Sequence, residues 1–233
     1  ITYFNRLNDR SAFAVSFKYF SLGEIELIQD EFSQALIEKP NELTMDVSYS
    51  LRLADQFSMG VSLRYLRSDL KISQVDDTAI AASSYAVDLS GYFQGEEQAY
   101  NEFNGRWRAG FIIQNLGPKI NYDESAESSS FLPTMLRLGG GFDFIIDNYN
   151  TLAVTLQFSK LLVPTPPIRD ESGDVIQGKE DNVGWVEGMF QSFGDAPYGF
   201  GEEIQEINIG MTADVGTFPR LPHLLPMGLV KEL

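Results

Sequence analysis

Apolar residues fall on every second position through long stretches of this chain. From Leu43 to Leu53 the row Leu43, Met45, Val47, Tyr49, Leu51 and Leu53 is interleaved with Thr44, Asp46, Ser48, Ser50 and Arg52. After Ala54-Asp55-Gln56 the alternation resumes as Phe57, Met59, Val61, Leu63 and Tyr65 against Ser58, Gly60, Ser62 and Arg64. A period of two puts the rows on opposite faces of a strand, and two such runs joined by a few residues predict a β-hairpin. The pattern predicts further strands at Phe13–Tyr19, Tyr85–Phe93, Phe103–Ile113, Leu136–Ile146, Leu152–Phe158 and Ile207–Ala213, eight in all. No stretch of useful length carries a 3.6 period. Asp30–Glu38, "DEFSQALIE", is the one helical candidate and is expected as a short loop helix.

The connections are uneven. "ADQ" after Leu53 and "DNYN" after Ile146 are tight turns, whereas Asp69–Ser83, Lys119–Thr134 and Ser159–Glu203 are long and polar. Transmembrane barrels have short periplasmic turns and long extracellular loops, while a soluble sandwich rarely carries a structureless loop as long as the last of these. The polar row adds a second contrast. It is rich in Ala, Gly and Ser, and it sets Arg52, Arg64, Arg106, Arg108 and Arg137 on the same side as Asp46, Asp88 and Asp143. Small residues and opposite charges suit a crowded polar lumen in which charges pair. The expectation is an all-β, antiparallel transmembrane β-barrel with long extracellular loops. Leu43, Val47, Tyr49 and Leu51 would face acyl chains, Asp46, Ser48 and Arg52 the lumen, and "ADQ" the periplasmic rim. A soluble β-sandwich with the apolar row in its core shares the alternation and stands as the rival.

Composition narrows the partners. The 233 residues are 43% hydrophobic, ordinary for a folded protein, and carry a net charge of −16, which argues against nucleic acid. No apolar run is long enough for a transmembrane helix, a test that barrel strands also fail. Neither is there a basic, apolar leader at the start of the sequence. Ten carboxylates against Lys179 crowd Asp170–Glu206, which reads as a solvated loop. The absence of cysteine removes disulfides, thiol catalysis and cysteine zinc sites.

Candidate chemistry is sparse. His223, the single histidine, sits in the proline-rich "FPRLPHLLP" and reads as a surface residue rather than a catalytic base, which also sets aside a lipase. "DESGDVI" at Asp170–Ile176 lacks calcium-loop spacing, Gly139-Gly140-Gly141 lies inside a strand with no following helix, and Glu96-Glu97 and Glu202-Glu203 are loop pairs. No catalytic residue, cofactor or metal site is assigned. The informative loop is Ser159–Glu203. "LLVPTPPI" is too proline-rich to continue a strand, and Trp185, Met189, Phe190, Phe193, Tyr198 and Phe200 follow in an acidic setting. Two readings stand: the rings pack the loop onto the barrel mouth, or they form a protein-docking surface.

Several stretches resemble one family. "SFKYFSLGEIEL" (Ser16–Leu27), "RWRAGFIIQNLGPKINY" (Arg106–Tyr122), "FLPTMLRLGGGFDFIID" (Phe131–Asp147), "LQFSKLLVPTPP" (Leu156–Pro167) and "FGDAPYGFGEEIQE" (Phe193–Glu206) are similar to the PorV (LptO) proteins. These are FadL-like barrels of the Bacteroidetes type IX secretion system. The resemblance implies a non-enzymatic outer-membrane protein without a cofactor. Such a protein takes the C-terminal signal domain of secreted cargo from a SprA-type translocon and passes it to a PorU-type sortase at the cell surface. It would place partner contacts on the extracellular loops, here Leu161, Val163, Pro164, Pro166 and Pro167 with Trp185, Phe190, Phe193, Tyr198 and Phe200. The alternative within the FadL-like class is a channel for hydrophobic small molecules. The chain reads as a single barrel domain over 1–233, incomplete over these residues because the family's barrel has more than eight strands. Val215–Leu233 is an atypical, proline-bearing tail.

Overall fold

The computed structural model describes residues 1–27, 36–70, 79–122, 129–197 and 206–215. Nine long strands lie side by side in chain order: β1 (Thr2–Asn8), β2 (Ser11–Ser21), β3 (Asn41–Ala54), β4 (Phe57–Asp69), β5 (Ala82–Gln94), β6 (Asn104–Leu116), β7 (Met135–Ile145), β8 (Asn150–Leu161) and β9 (Glu206–Val215). Each is antiparallel to its neighbours, and the two-residue strand Gln98–Ala99 adds to the start of β6. The result is an all-β meander of barrel type, with β1 and β9 as the open edges of the sheet among the described residues.

All eight strands read from the alternation are present. β1 escapes that reading because Tyr3 and Phe4 are adjacent and break the period of two; it pairs with β2 from Thr2 against Ser16 onward. The helical candidate is corrected at its end. Leu36–Glu38 is a short strand paired with Ile25–Leu27, and residues 30–35 lie outside the described residues. Nine residues cannot sustain an isolated helix, and cross-strand pairing satisfies the same backbone groups. One helix was not foreseen: α1 (Trp185–Gln191), too short to display a period.

Register fixes the faces. Val15, Val47, Leu63 and Val87 stand opposite one another across β2–β5, as do Ser16, Asp46, Arg64 and Ala86 one position along. Burial is inverted relative to a water-soluble protein. Val47 is 55% and Leu63 61% exposed, whereas Asp46 and Asp88 are 7% and Asp143 4% exposed. Met45 and Tyr49 are exposed with Val47, and Leu43 and Leu51 share their row half-buried. Leaving one Val, Leu or Phe side chain in water forgoes about 1.5–3 kcal/mol, and this row repeats that loss on every strand. Among the described residues no second sheet covers it. The sandwich reading is therefore set aside, and the apolar row is the outer face of a membrane-type wall.

A meander alternates its ends, so every connection can be assigned to a rim. Asp9–Arg10, Asp55–Gln56, 95–103 and 146–149 lie at one rim; the connections that leave β2, β4, β6 and β8 start from the other, where their described ends lie. Short and long connections are thus fully segregated. The "ADQ" turn is two residues rather than three, since Ala54 pairs with Phe57. Arg10 donates to the carbonyls of Arg52 and Leu53 at 3.1 and 3.3 Å and ties neighbouring turns together. In the 146–149 turn the Asn150 side chain and then the Tyr149 and Asn150 backbone amides donate to Asp147, holding its carboxyl below the ordinary range. At this rim Tyr100, Phe103, Trp107, Phe142 and Phe144 form one ring cluster, with centroids 4.7 Å apart for Trp107–Phe142 and 4.8 Å for Phe142–Phe144. It has the character of an aromatic girdle.

At the long-loop rim the chain after β6 turns inward. Leu132 and Ile120 pack on the inward Ala82 and Ala86, with Leu66 and Tyr122 against them, in a buried apolar cluster. Gly117 makes the approach possible, because a Cβ there would lie 2.2 Å from the Tyr85 carbonyl oxygen. Gly117→Ala should cost about 1–3 kcal/mol in urea unfolding from lipid vesicles, because backbone must move. Gly139→Ala, whose Cβ would meet only the Leu156 carbonyl oxygen at 3.6 Å, should stay within about 0.5 kcal/mol of the parent.

Candidate functional site

Two elements carry chemistry: the charged inner wall and the folded loop above it. On the wall, Arg64 sits between two carboxylates, with Nε 2.5 Å from Asp46 and a terminal nitrogen 3.0 Å from Asp88. Ser16 donates to the second oxygen of Asp46 at 3.0 Å. Arg64 also donates to the side-chain oxygen of Asn115. Asn115 owes its position to a bulge: the β5–β6 register shifts between Val87 and Leu89, and Asn115 takes φ +58° there. Asparagine tolerates this left-handed backbone better than most residues. Its amide donates to Asp88 at 2.8 Å, its side chain donates to the Pro133 carbonyl at 3.0 Å, and its own carbonyl accepts from Thr134 at 2.8 Å. A second cluster places Arg106 and Arg108 on Asp143, at 3.0 and 2.7 Å. Arg137, three positions along the same inner row from Asp143, donates to Gln114.

The loop after β8 forms a small cap. Leu161 ends β8, and the Leu162 amide donates to the Thr134 carbonyl at 2.7 Å. Pro164 is buried beneath α1: a Cβ on Gly188 would fall 2.7 Å from Pro164 Cγ and 2.9 Å from Phe131 Cε1, so only glycine lets the helix sit this low. The Thr165 amide donates to the buried Asp195 at 2.9 Å. Ile168–Arg169 pairs with Val175–Gln177, and Asp170 in the turn accepts the amides of Ser172 and Asp174 at 2.9 Å. The "DESGDVI" carboxylate is thus spent on its own turn. Arg169 clamps Glu180 and Asp181, each at 2.6 Å, and its hydrogen bond holds the Glu180 carboxyl down to about 2. Gln191 on α1 donates to the Glu180 carbonyl at 2.8 Å, joining helix and hairpin.

The residues expected to touch partners therefore divide. Pro164 is buried structure, while Leu161, Val163 and Pro167 are half-buried and Pro166 is exposed. Trp185, Phe190 (69%) and Phe193 (52%) are exposed, joined by Val186 and Ile176. The Lys160 ammonium lies 5.3 Å above the Phe193 ring. Tyr198 and Phe200 lie outside the described residues. Sequence reasoning passed over Asn115, Phe131, Gly188 and Asp195, which seat the cap. The "QNLG", "FLP" and "FGDAPYGFGEEIQE" stretches hold Asn115, Phe131 and Asp195, and nothing local marked Gly188.

An antiparallel wall with paired charges inside, an apolar row outside and its loops sorted by length defines the class: a membrane-type β-barrel protein. Within that class the chain belongs to the PorV family, since the family model described as type IX secretion system protein PorV matches residues 1–168. The protein is accordingly a component of the type IX secretion system. The match takes in the wall through β8 and "LLVPTPPI", whereas Phe193–Glu206 lies beyond it. No curated protein matches the chain.

Arg64→Ala would leave Asp46 and Asp88 facing each other unpaired. It should cost about 3–5 kcal/mol in urea unfolding from vesicles. A cost below about 0.5 kcal/mol would mean that lumen water, not Arg64, neutralises the pair.

Proposed function

We propose that this PorV-family protein is an outer-membrane barrel that receives secreted cargo rather than transforming a substrate. It binds the C-terminal signal domain of cargo at a SprA-type translocon and delivers it to the PorU-type sortase complex at the cell surface. The contacts lie on the long-loop rim, through Trp185, Phe190 and Phe193 with the exposed Pro166, and with Leu161, Val163 and Pro167 along the path from β8. Tyr198 and Phe200 extend the same set in sequence. Pro164 supports them from beneath. The protein carries no catalytic residue and takes no cofactor.

The observation that carries this reading is the cap itself. Aromatic rings held out to solvent on an element fixed by a buried aspartate, a proline seat and an Arg169 clamp are costly unless a partner covers them. Pre-ordered rings also lose little entropy on docking. The alternative, a channel for hydrophobic small molecules, calls for an apolar lumen, and the inner row presents Arg, Asp and Ser instead.

The double variant Phe190→Asp/Phe193→Asp should fold normally, since both rings are exposed. Affinity purification of the native protein should then recover at least about tenfold less translocon and cargo signal domain, as expected for loss of two interfacial aromatics. Undiminished recovery of both would remove the cap from the interface.

A further inference from the structure

The outward row is bulky at most positions; its glycines at 91 and 105 are overlain by the Phe111 and Phe142 rings, whereas Gly140 is left open. On β7 it runs Leu136, Leu138, Gly140, Phe142 and Phe144, and Gly140 stands opposite Ala109 on β6 and Leu156 on β8. Ala109 and Gly140 form the floor of a groove of about 900 Å³, walled by Trp107, Phe142, Leu156 and Phe158. Its short-turn end meets the ring cluster, where Tyr100 lies 5.8 Å from Phe142. Arg108 borders the groove, but its guanidinium is turned away and paired with Asp143 at 2.7 Å. The backbone does not call for glycine here. Gly140 has no positive φ, and a Cβ on it would meet only the Arg108 carbonyl oxygen, at 4.0 Å.

We propose that this groove seats one acyl chain of a phospholipid from the leaflet at the short-turn rim. The proposal rests on the outer-membrane reading above. The groove is continuous with the apolar face that meets lipid, and it starts at the aromatic girdle, where headgroups lie. Inside a bilayer the hydrophobic effect does not separate a tail in the groove from a tail in bulk lipid. Occupancy therefore rests on dispersion, and a concave apolar wall gives a chain partner atoms on several sides where a flat wall gives them on one. Glycine at position 140 keeps that concavity open. A flat barrel wall would hold a bulky residue there, as it does at 138 and 142.

Trp107 is one of two tryptophans, so Trp185→Phe leaves a single fluorophore in the groove wall. The single-tryptophan protein is reconstituted into phosphatidylcholine vesicles containing a rising fraction of chain-brominated phosphatidylcholine. In vesicles of fully brominated phosphatidylcholine, Trp107 quenching should be about threefold stronger in the parent than in Gly140→Leu, whose side chain fills the groove and holds the tail off the ring. Gly140→Ala, the milder filling, should fall between the two. Superimposable curves for the parent and both variants would overturn the groove. Absence of quenching at every brominated fraction would instead overturn the lipid-facing assignment on which it rests.

Discussion

Arg64 is the point on which the inner wall turns. A charged residue on the inner row of a barrel has little alternative to finding a partner there, because unpaired buried charge costs several kcal/mol. Arg64 answers two carboxylates from two neighbouring strands, Asp46 on β3 and Asp88 on β5. Those contacts require Asp46 opposite Arg64 and Asp88 two residues beyond Ala86, which stands opposite Arg64 on β5, so they admit one register across three strands. A slip of one residue would place the carboxylates in the lipid row. Charge pairing and lipid exposure thus specify the same alignment from opposite faces.

The same hub reaches the cap. Asp88 also accepts the Asn115 amide, and this bond sits at the bulge that turns the chain inward after β6. Thr134 bonds the Asn115 carbonyl, and the Thr134 carbonyl accepts the Leu162 amide. Pro164 follows two residues later and takes the weight of α1 through Gly188. A series of covalent, hydrogen-bonded and packed neighbours therefore runs from the mid-wall guanidinium to the exposed rings. The rings occupy a defined place above the wall, which is what recognition of a folded partner needs.

Much of the wall was legible because period-two alternation is a local property: it puts Val47 and Ser48 on opposite faces, and the small, charged partner row with the uneven loops says which face is the lumen. The eight strands read this way are all present. β1 was not legible, since Tyr3 and Phe4 sit side by side and only the neighbouring β2 decides which faces out. Helix α1 and the buried Asp195 were hidden for another reason. Their stability comes from Pro164 and Thr165, some twenty to thirty residues away, and no window on the sequence joins them. Pro164, placed among the contact candidates as part of the family-like stretch, is buried, and its burial follows from the glycine above it. The family match covers the wall through β8 and stops at residue 168, so the rings of the cap owe their reading to geometry rather than to that match.

The central claim is that the apolar row meets lipid and the charged row does not. Nitroxide labels on single cysteines at positions 47 and 48, introduced into a protein that has no native cysteine, test it directly in reconstituted bilayers. The label at 47 should be relaxed by membrane-dissolved oxygen and shielded from a water-soluble nickel chelate, and the label at 48 should show the reverse order. Chelate access at 47 together with oxygen-dominated relaxation at 48 would contradict the account.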